Sequence, residues 1–89
     1  MSTIKGTTKS GLEYEIDPAG MTDMRVLDAL EELSDGNPAG MSRLVKLMFD
    51  PQAKKALYAH CSEKDGRVDP QRVGTEVFEI IDAIKNGKN

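Results

Sequence analysis

Each of the four prolines in this 89-residue chain follows an aspartate or an asparagine, and that pairing constrains the fold more than any other feature. Three of the pairs, Asn37-Pro38, Asp50-Pro51 and Asp69-Pro70, stand directly before segments whose apolar residues recur at helical spacing. An Asp or Asn side chain accepts a hydrogen bond from an orphaned N–H of the first helical turn. Proline at the first helical position lacks only an N–H that would find no carbonyl inside the helix. The pairs therefore predict helices over 38–49, 51–62 and 70–86. A further helix is expected over 22–34, after Pro18-Ala19-Gly20, with Thr22 as its N-cap, Asp23 favourable to the dipole in its first turn, and an end near Ser34-Asp35-Gly36.

Residues 1–17 read differently. Leu12, Tyr14 and Ile16 alternate strictly with Glu13, Glu15 and Asp17, the pattern of a strand with one wet face. Ile4 and the neighbouring threonines supply a shorter partner strand, closed by a turn in which Gly6 or Gly11 takes positive φ. An isolated hairpin is marginal, so this one must pack on the helices. The fold class is mainly α: a short N-terminal β-hairpin or strand followed by a compact four-helix domain, 1–89 forming a single domain.

The helical faces assign the core. Val26, Leu27, Leu30 and Leu33 share a stripe on the first helix, and Met41, Leu44, Val45 and Met48 share one on the second. Leu47 and Phe49 flank that second stripe, widening its apolar arc to about 200°, twice what a surface helix needs. The second helix is thus central. The third offers Ala53, Ala56, Leu57, His60 and Cys61 inward, and its small side chains place it close to its neighbour. The fourth offers Val73, Val77, Ile80, Ile81 and Ile84, with a Gly87-Lys88-Asn89 end expected to fray. Leu27, Leu30, Leu44, Val45, Met48, Leu57, Val77, Ile80 and Ile84 are expected to be largely buried. Two aromatics, Tyr58 and Phe78, lie well off these stripes, so either the hairpin or a partner covers them.

Composition narrows the function. A chain with 38% hydrophobic and 30% charged residues is a soluble globular one, too short for two domains or for an elaborate enclosed active site. Its formal net charge of −3 is opposite to the footprint of phosphate-backbone binding, so no nucleic acid is expected as a direct partner. Arg43, Lys46, Lys54 and Lys55 are the local basic patch that a DNA-binding reading would need. The first helix is acidic and the second basic, and the simplest reading of that contrast is mutual complementation. Residues 1–20 hold no apolar stretch followed by small residues, so no secretory signal is expected, and no apolar run approaches the ~20 residues of a membrane span. A single cysteine, Cys61, permits no internal disulfide. Cytoplasmic residence follows as the expectation.

Catalytic signals are weak. His60 and Cys61 are adjacent on one helix and project about 100° apart, so they form no nucleophile–base pair there. His60 reads as a hydrogen-bonded core or interface histidine and Cys61 as a small buried hydrophobe. The segment Glu63-Lys64-Asp65-Gly66-Arg67 echoes a calcium loop, but the first and twelfth positions would be Cys61 and Arg72, which supply no carboxylate. It reads as a turn ahead of a capped helix. No catalytic, cofactor or metal residues are assigned, and the candidate partner-binding residues are Leu47, Phe49, Tyr58 and Phe78.

In combination, several segments resemble a known group. These are Tyr14-Glu15-Ile16-Asp17, the acidic Leu27-Asp28-Ala29-Leu30-Glu31-Glu32, the Asn37-Pro38 start of Leu44-Val45-Lys46-Leu47-Met48, then Leu57-Tyr58 with His60, and Asp65-Gly66-Arg67-Val68 before a last amphipathic helix. Over Glu13 to Asn89 the chain resembles the tail assembly chaperones of long-tailed (siphophage-type) bacteriophages and prophages of Gram-positive hosts. The resemblance implies a helical chaperone in the host cytoplasm that binds and solubilises the tape measure protein, helps recruit major tail protein, and does not remain in the mature virion. It carries over no catalytic residues. The wide arc of the second helix suits holding a partner's apolar helix, and the same surface predicts a homo-oligomer when no partner is present. The alternative function class is a small prophage regulatory or antitoxin-like protein-binding module.

Overall fold

The computed structural model describes residues 3–86. The first two residues of the expected β segment and the Gly87-Lys88-Asn89 end lie outside the described residues. Strand β1 (Ile4–Thr7) pairs antiparallel with β2 (Glu13–Ile16), and Ile4 stands opposite Ile16, Lys5 opposite Glu15, Gly6 opposite Tyr14 and Thr7 opposite Glu13. The alternation in β2 sorts its faces: Leu12 and Ile16 are buried, Tyr14 is half-buried, and Glu13 and Glu15 are exposed. The connecting loop closes through Thr8 N–H to Leu12 O (2.9 Å) and Gly11 N–H to Thr8 O (3.0 Å). Gly11, at φ 100°, is the glycine that supplies the left-handed turn. Gly6 serves a different purpose, because a Cβ there would overlap the Tyr14 ring, whose Cζ would be 2.7 Å away.

The helices follow as α1 (Met24–Ser34), α2 (Ala39–Met48), α3 (Pro51–His60) and α4 (Pro70–Lys85). Two of the expected Asp/Asn-Pro caps form as read, Asp50 Oδ1 accepting from Ala53 N–H at 2.7 Å and Asp69 Oδ1 from Gln71 N–H at 3.0 Å. At the third, Asn37 Oδ1 accepts from Ala39 N–H at 3.0 Å, but α2 begins one residue later than expected, with Pro38 in the cap position. The fourth pair works too. Asp17 Oδ1 accepts from Ala19 N–H at 2.9 Å and opens a 3-10 helix over Pro18–Thr22 that the apolar spacing did not predict. This short helix corrects the start of α1. The Thr22 hydroxyl is occupied by Ala19 O (2.8 Å), and Asp23 is the N-cap, its Oδ1 accepting from Arg25 N–H at 2.8 Å. At its other end α1 closes with Gly36 at φ 86°, Gly36 N–H to Leu33 O (3.0 Å) and Asn37 N–H to Glu32 O (2.9 Å), a Schellman arrangement that turns the chain directly into α2.

One continuous core runs from the hairpin to α4, through Leu12, Ile16, Val26, Leu44, Val45, Leu57, Val77 and Ile80. As expected, α2 is central, burying Leu44, Val45 and Met48. A close helix approach is made between α1 and α2. A Cβ on Gly40 would stand 2.6 Å from Ala29 O and 3.0 Å from Glu32 Cβ, so the backbones meet where only glycine fits. That contact rotates α1 about Val26, Ala29 and Leu33, and it corrects the expected stripe: Leu27 lies about 100° from Val26 and is 53% exposed. Leu30 and Ile84 are half-buried and packed against the core, and Ala56, expected on the inward face of α3, is exposed. Helix α3 ends at His60, two residues early, because the chain folds back there: Ser62 bridges to Val68, Glu63 N–H meets Arg67 O at 2.7 Å, and Gly66 takes φ 92°. The charged segment is thus a closed turn, as expected. No helix among the described residues is long and apolar enough to cross a membrane.

Candidate partner-binding surface

The four residues singled out as partner-binding candidates do not form one surface. Phe49 is 6% exposed and belongs to the core. The helix ends one residue before it, and at φ −115°, ψ 134° its backbone is extended, so the helical angle that placed it on a flank no longer applies. Leu47 and Tyr58 are half-buried and packed against the core, with Lys54 Nζ 5.3 Å from the centre of the Tyr58 ring. Phe78 alone of the four is open, at 46%. The hairpin leaves it uncovered and lies instead beside Met48, Phe49 and Ala53.

Two further exposed apolar side chains escaped the sequence reading: Met24, at 64%, and Leu27. They sit three residues apart on the outward side of α1, near Asp28 and Glu31. The signal that would have found them is Ala29, whose small side chain at helical spacing from Val26 and Leu33 marks the close contact with Gly40. The wide apolar arc of α2, by contrast, is filled by the chain's own elements. Gly40, Leu44, Val45 and Met48 are buried, α1 closes on the helix at Gly40, and the 3-10 helix reaches the Leu47 carbonyl, which a Cβ on Gly20 would meet at 3.7 Å.

Charge is partly spent internally. Arg43 Nη1 lies 2.7 Å from Glu32 Oε1, in an ion pair without a well-aligned N–H, joining the basic α2 to the acidic α1. With Lys54 over Tyr58, two of the four cations of the basic patch are engaged within the chain. Between the hairpin and the α2–α3 junction runs an open groove of about 930 Å³. Its apolar lining is half-buried Tyr14 and Ala53 with the buried Leu12, Met48 and Phe49 behind them, and it carries Glu13, Glu15, Asp17 and Asp50 with Lys5 as the one cation among the described lining residues.

The polar centre of the molecule is a latch between the hairpin loop and the helices. Glu76 is 5% exposed and accepts hydrogen bonds from Thr8 Oγ1 (2.6 Å, to Oε1) and Ser10 Oγ (2.9 Å, to Oε2). Ser10 Oγ also lies 2.8 Å from His60 Nε2, and Lys9 N–H donates to Glu79 Oε2 at 2.8 Å. A hydroxyl has one proton to give. With that proton directed at the Glu76 carboxylate, His60 Nε2 donates to Ser10 Oγ and is not placed to remove a proton from it. The three residues hold the loop down and do not present an activated serine. His60 is therefore hydrogen-bonded, as its sequence position suggested, through Ser10, fifty residues away in sequence. Cys61 is buried, and burial first, then the nearby Glu76 carboxylate, pushes its thiol above the ordinary range. Arg72 Nη2 caps the end of α3 by donating to His60 O at 3.2 Å.

Comparison with protein-family models, with curated proteins and with solved structures finds no match to this chain.

Proposed function

We propose that this chain works by holding another protein, as a tail assembly chaperone that binds and solubilises the tape measure protein and helps recruit major tail protein around it in the host cytoplasm. The observation that carries the reading is the open display of Met24, Leu27 and Phe78 on an otherwise covered core. Large apolar side chains held in water are the means by which a small domain captures an apolar helix of a partner, and methionine adapts to varied sequences. The resemblance in the segments from Tyr14 through Val68 supports the identity of that partner. Leu47 and Tyr58 stand as half-buried contributors, whereas Phe49 belongs to the core.

The test is co-expression of tape measure fragments with the wild type and with Met24→Glu, Leu27→Glu and Phe78→Glu variants, scored by soluble fragment and co-purification. The wild type is expected to rescue at least one fragment, and the variants to rescue less while keeping their helical circular dichroism. Rescue of no fragment sinks the chaperone reading. Equal rescue by all three variants sinks this surface. Recovery of a single toxin or repressor in place of tail components transfers the reading to the antitoxin-like class. Without a partner the same side chains favour self-association, so sedimentation is expected to show a dimer or larger species that the Leu27→Glu variant shifts toward monomer.

A further inference from the structure

We infer that the groove between the hairpin and the α2–α3 junction is a second binding site, built for an extended protein segment that carries Lys or Arg around apolar anchors. The inference does not rest on the tape measure reading, because none of Met24, Leu27 and Phe78 lines this groove. Three observations converge on it. The first is shape: at about 930 Å³ and open to solvent, the space suits a strand-length segment of about five residues better than an enclosed small molecule.

The second is chemistry. The apolar surface it offers comes from half-buried Tyr14 and Ala53, backed by the buried side chains of Leu12, Met48 and Phe49, while Glu13, Glu15, Asp17 and Asp50 stand against Lys5. Among the described residues the groove thus carries four formal negative side chains and one positive, a balance of −3, equal to the formal side-chain charge of the entire chain. Over the rest of the sequence the formal charges sum to zero. Asp17 and Asp50 are partly satisfied as helix caps and Glu15 accepts from Thr3 Oγ1 at 2.7 Å, but all of these contacts are to neutral donors and leave the charge in place. The third is the backbone. Strands β1 and β2 form the whole sheet among the described residues, so each leaves one edge of N–H and C=O groups without a strand partner. An added strand would satisfy such an edge, with apolar side chains on Tyr14 and Ala53 and cations at the acidic residues.

Fluorescent peptides test this directly. One alternates Leu and Phe with Lys, one carries Glu at the Lys positions, and spermine serves as a cation without apolar anchors. The Lys peptide is expected to bind the full chain, to weaken as salt rises, and to lose about tenfold in affinity against Glu13→Lys/Glu15→Lys. The Glu13→Gln/Glu15→Gln variant should fall between the two. Amide shift changes in the wild type should concentrate on β1, β2 and Gln52–Ala53, which decides the site even if the reversed-charge variant fails to fold. Binding of the Glu peptide as tight as that of the Lys peptide overturns the inference, as does spermine binding equally well. Shifts centred on Met24, Leu27 or Phe78 overturn it too, as does the absence of any binding.

Discussion

Gly40 and Gly74 both sit inside helices, yet their surroundings predict opposite responses to a methyl group. At Gly40 the new carbon would be 2.6 Å from the Ala29 carbonyl oxygen, a backbone atom that cannot swing aside. Gly40→Ala should force α1 away from α2 and cost about 1 to 3 kcal/mol, seen as a lower denaturant midpoint. At Gly74 the nearest atom is Met41 Cε at 3.6 Å, an ordinary contact with the end of a flexible side chain. Gly74→Ala should stabilise by about 0.5 to 1 kcal/mol, since alanine loses less backbone freedom in a helix. Cys61 offers a test by pH. Its thiol ionises less readily folded than unfolded, so its contribution to stability is full below the unfolded value of about 8.5 and is lost as pH rises through the higher folded value. Modification by a thiol reagent should accordingly be slow in the folded protein and become fast in denaturant. The burial of Cys61 was legible in its position beside Leu57. The hydrogen bond of His60 was not, because its partner Ser10 lies in the hairpin loop, fifty residues away.

Helix boundaries were the most legible elements, because a cap and its proline are local chemistry. Replacing Asp50 or Asp69 by Ala should cost about 0.5 to 2 kcal/mol each, whereas Ala in place of the uncapping Thr22 should cost less than Ala in place of Asp23. Denaturant midpoints of the four variants check that order. The rule that placed three helices also covered Asp17-Pro18, but with only five residues and no apolar stripe the 3-10 helix left no periodic trace. Helix faces were harder to read than helix ends. Four apolar residues at Val26, Leu27, Leu30 and Leu33 allow a range of rotations, and the choice among them is made by Gly40 across the interface. Phe49 was misplaced for a related reason: its side chain direction depends on where the helix stops, which shifts by one residue with no change in pattern. The groove was invisible in sequence, since it joins a strand to a helix junction more than thirty residues away, and only the acidity of Glu13, Glu15 and Asp17 hinted at it.

The whole molecule has a radius of gyration of 12.5 Å, against about 12 Å for a compact chain of this length. The hairpin is part of that compactness, since Leu12 and Ile16 belong to the common core. Glu76→Ala removes the acceptor for both Thr8 and Ser10, and should cost about 1 to 3 kcal/mol. In hydrogen exchange, the amides of β1 and β2 should lose protection before those of α2. The latch also orders events in time. Thr8 and Glu76 are 68 residues apart, and two four-residue strands are not stable alone. At synthesis rates of about 5 to 20 residues per second, Ile16 waits roughly 3 to 12 seconds for Glu76 to be added. The hairpin, translated before every helix, is therefore the last part to close, and until then Met48 and Phe49 lack their cover. Nascent chains arrested before Glu76 should be cut in the hairpin by a protease, and chains carried well beyond Glu79 and clear of the ribosome should resist.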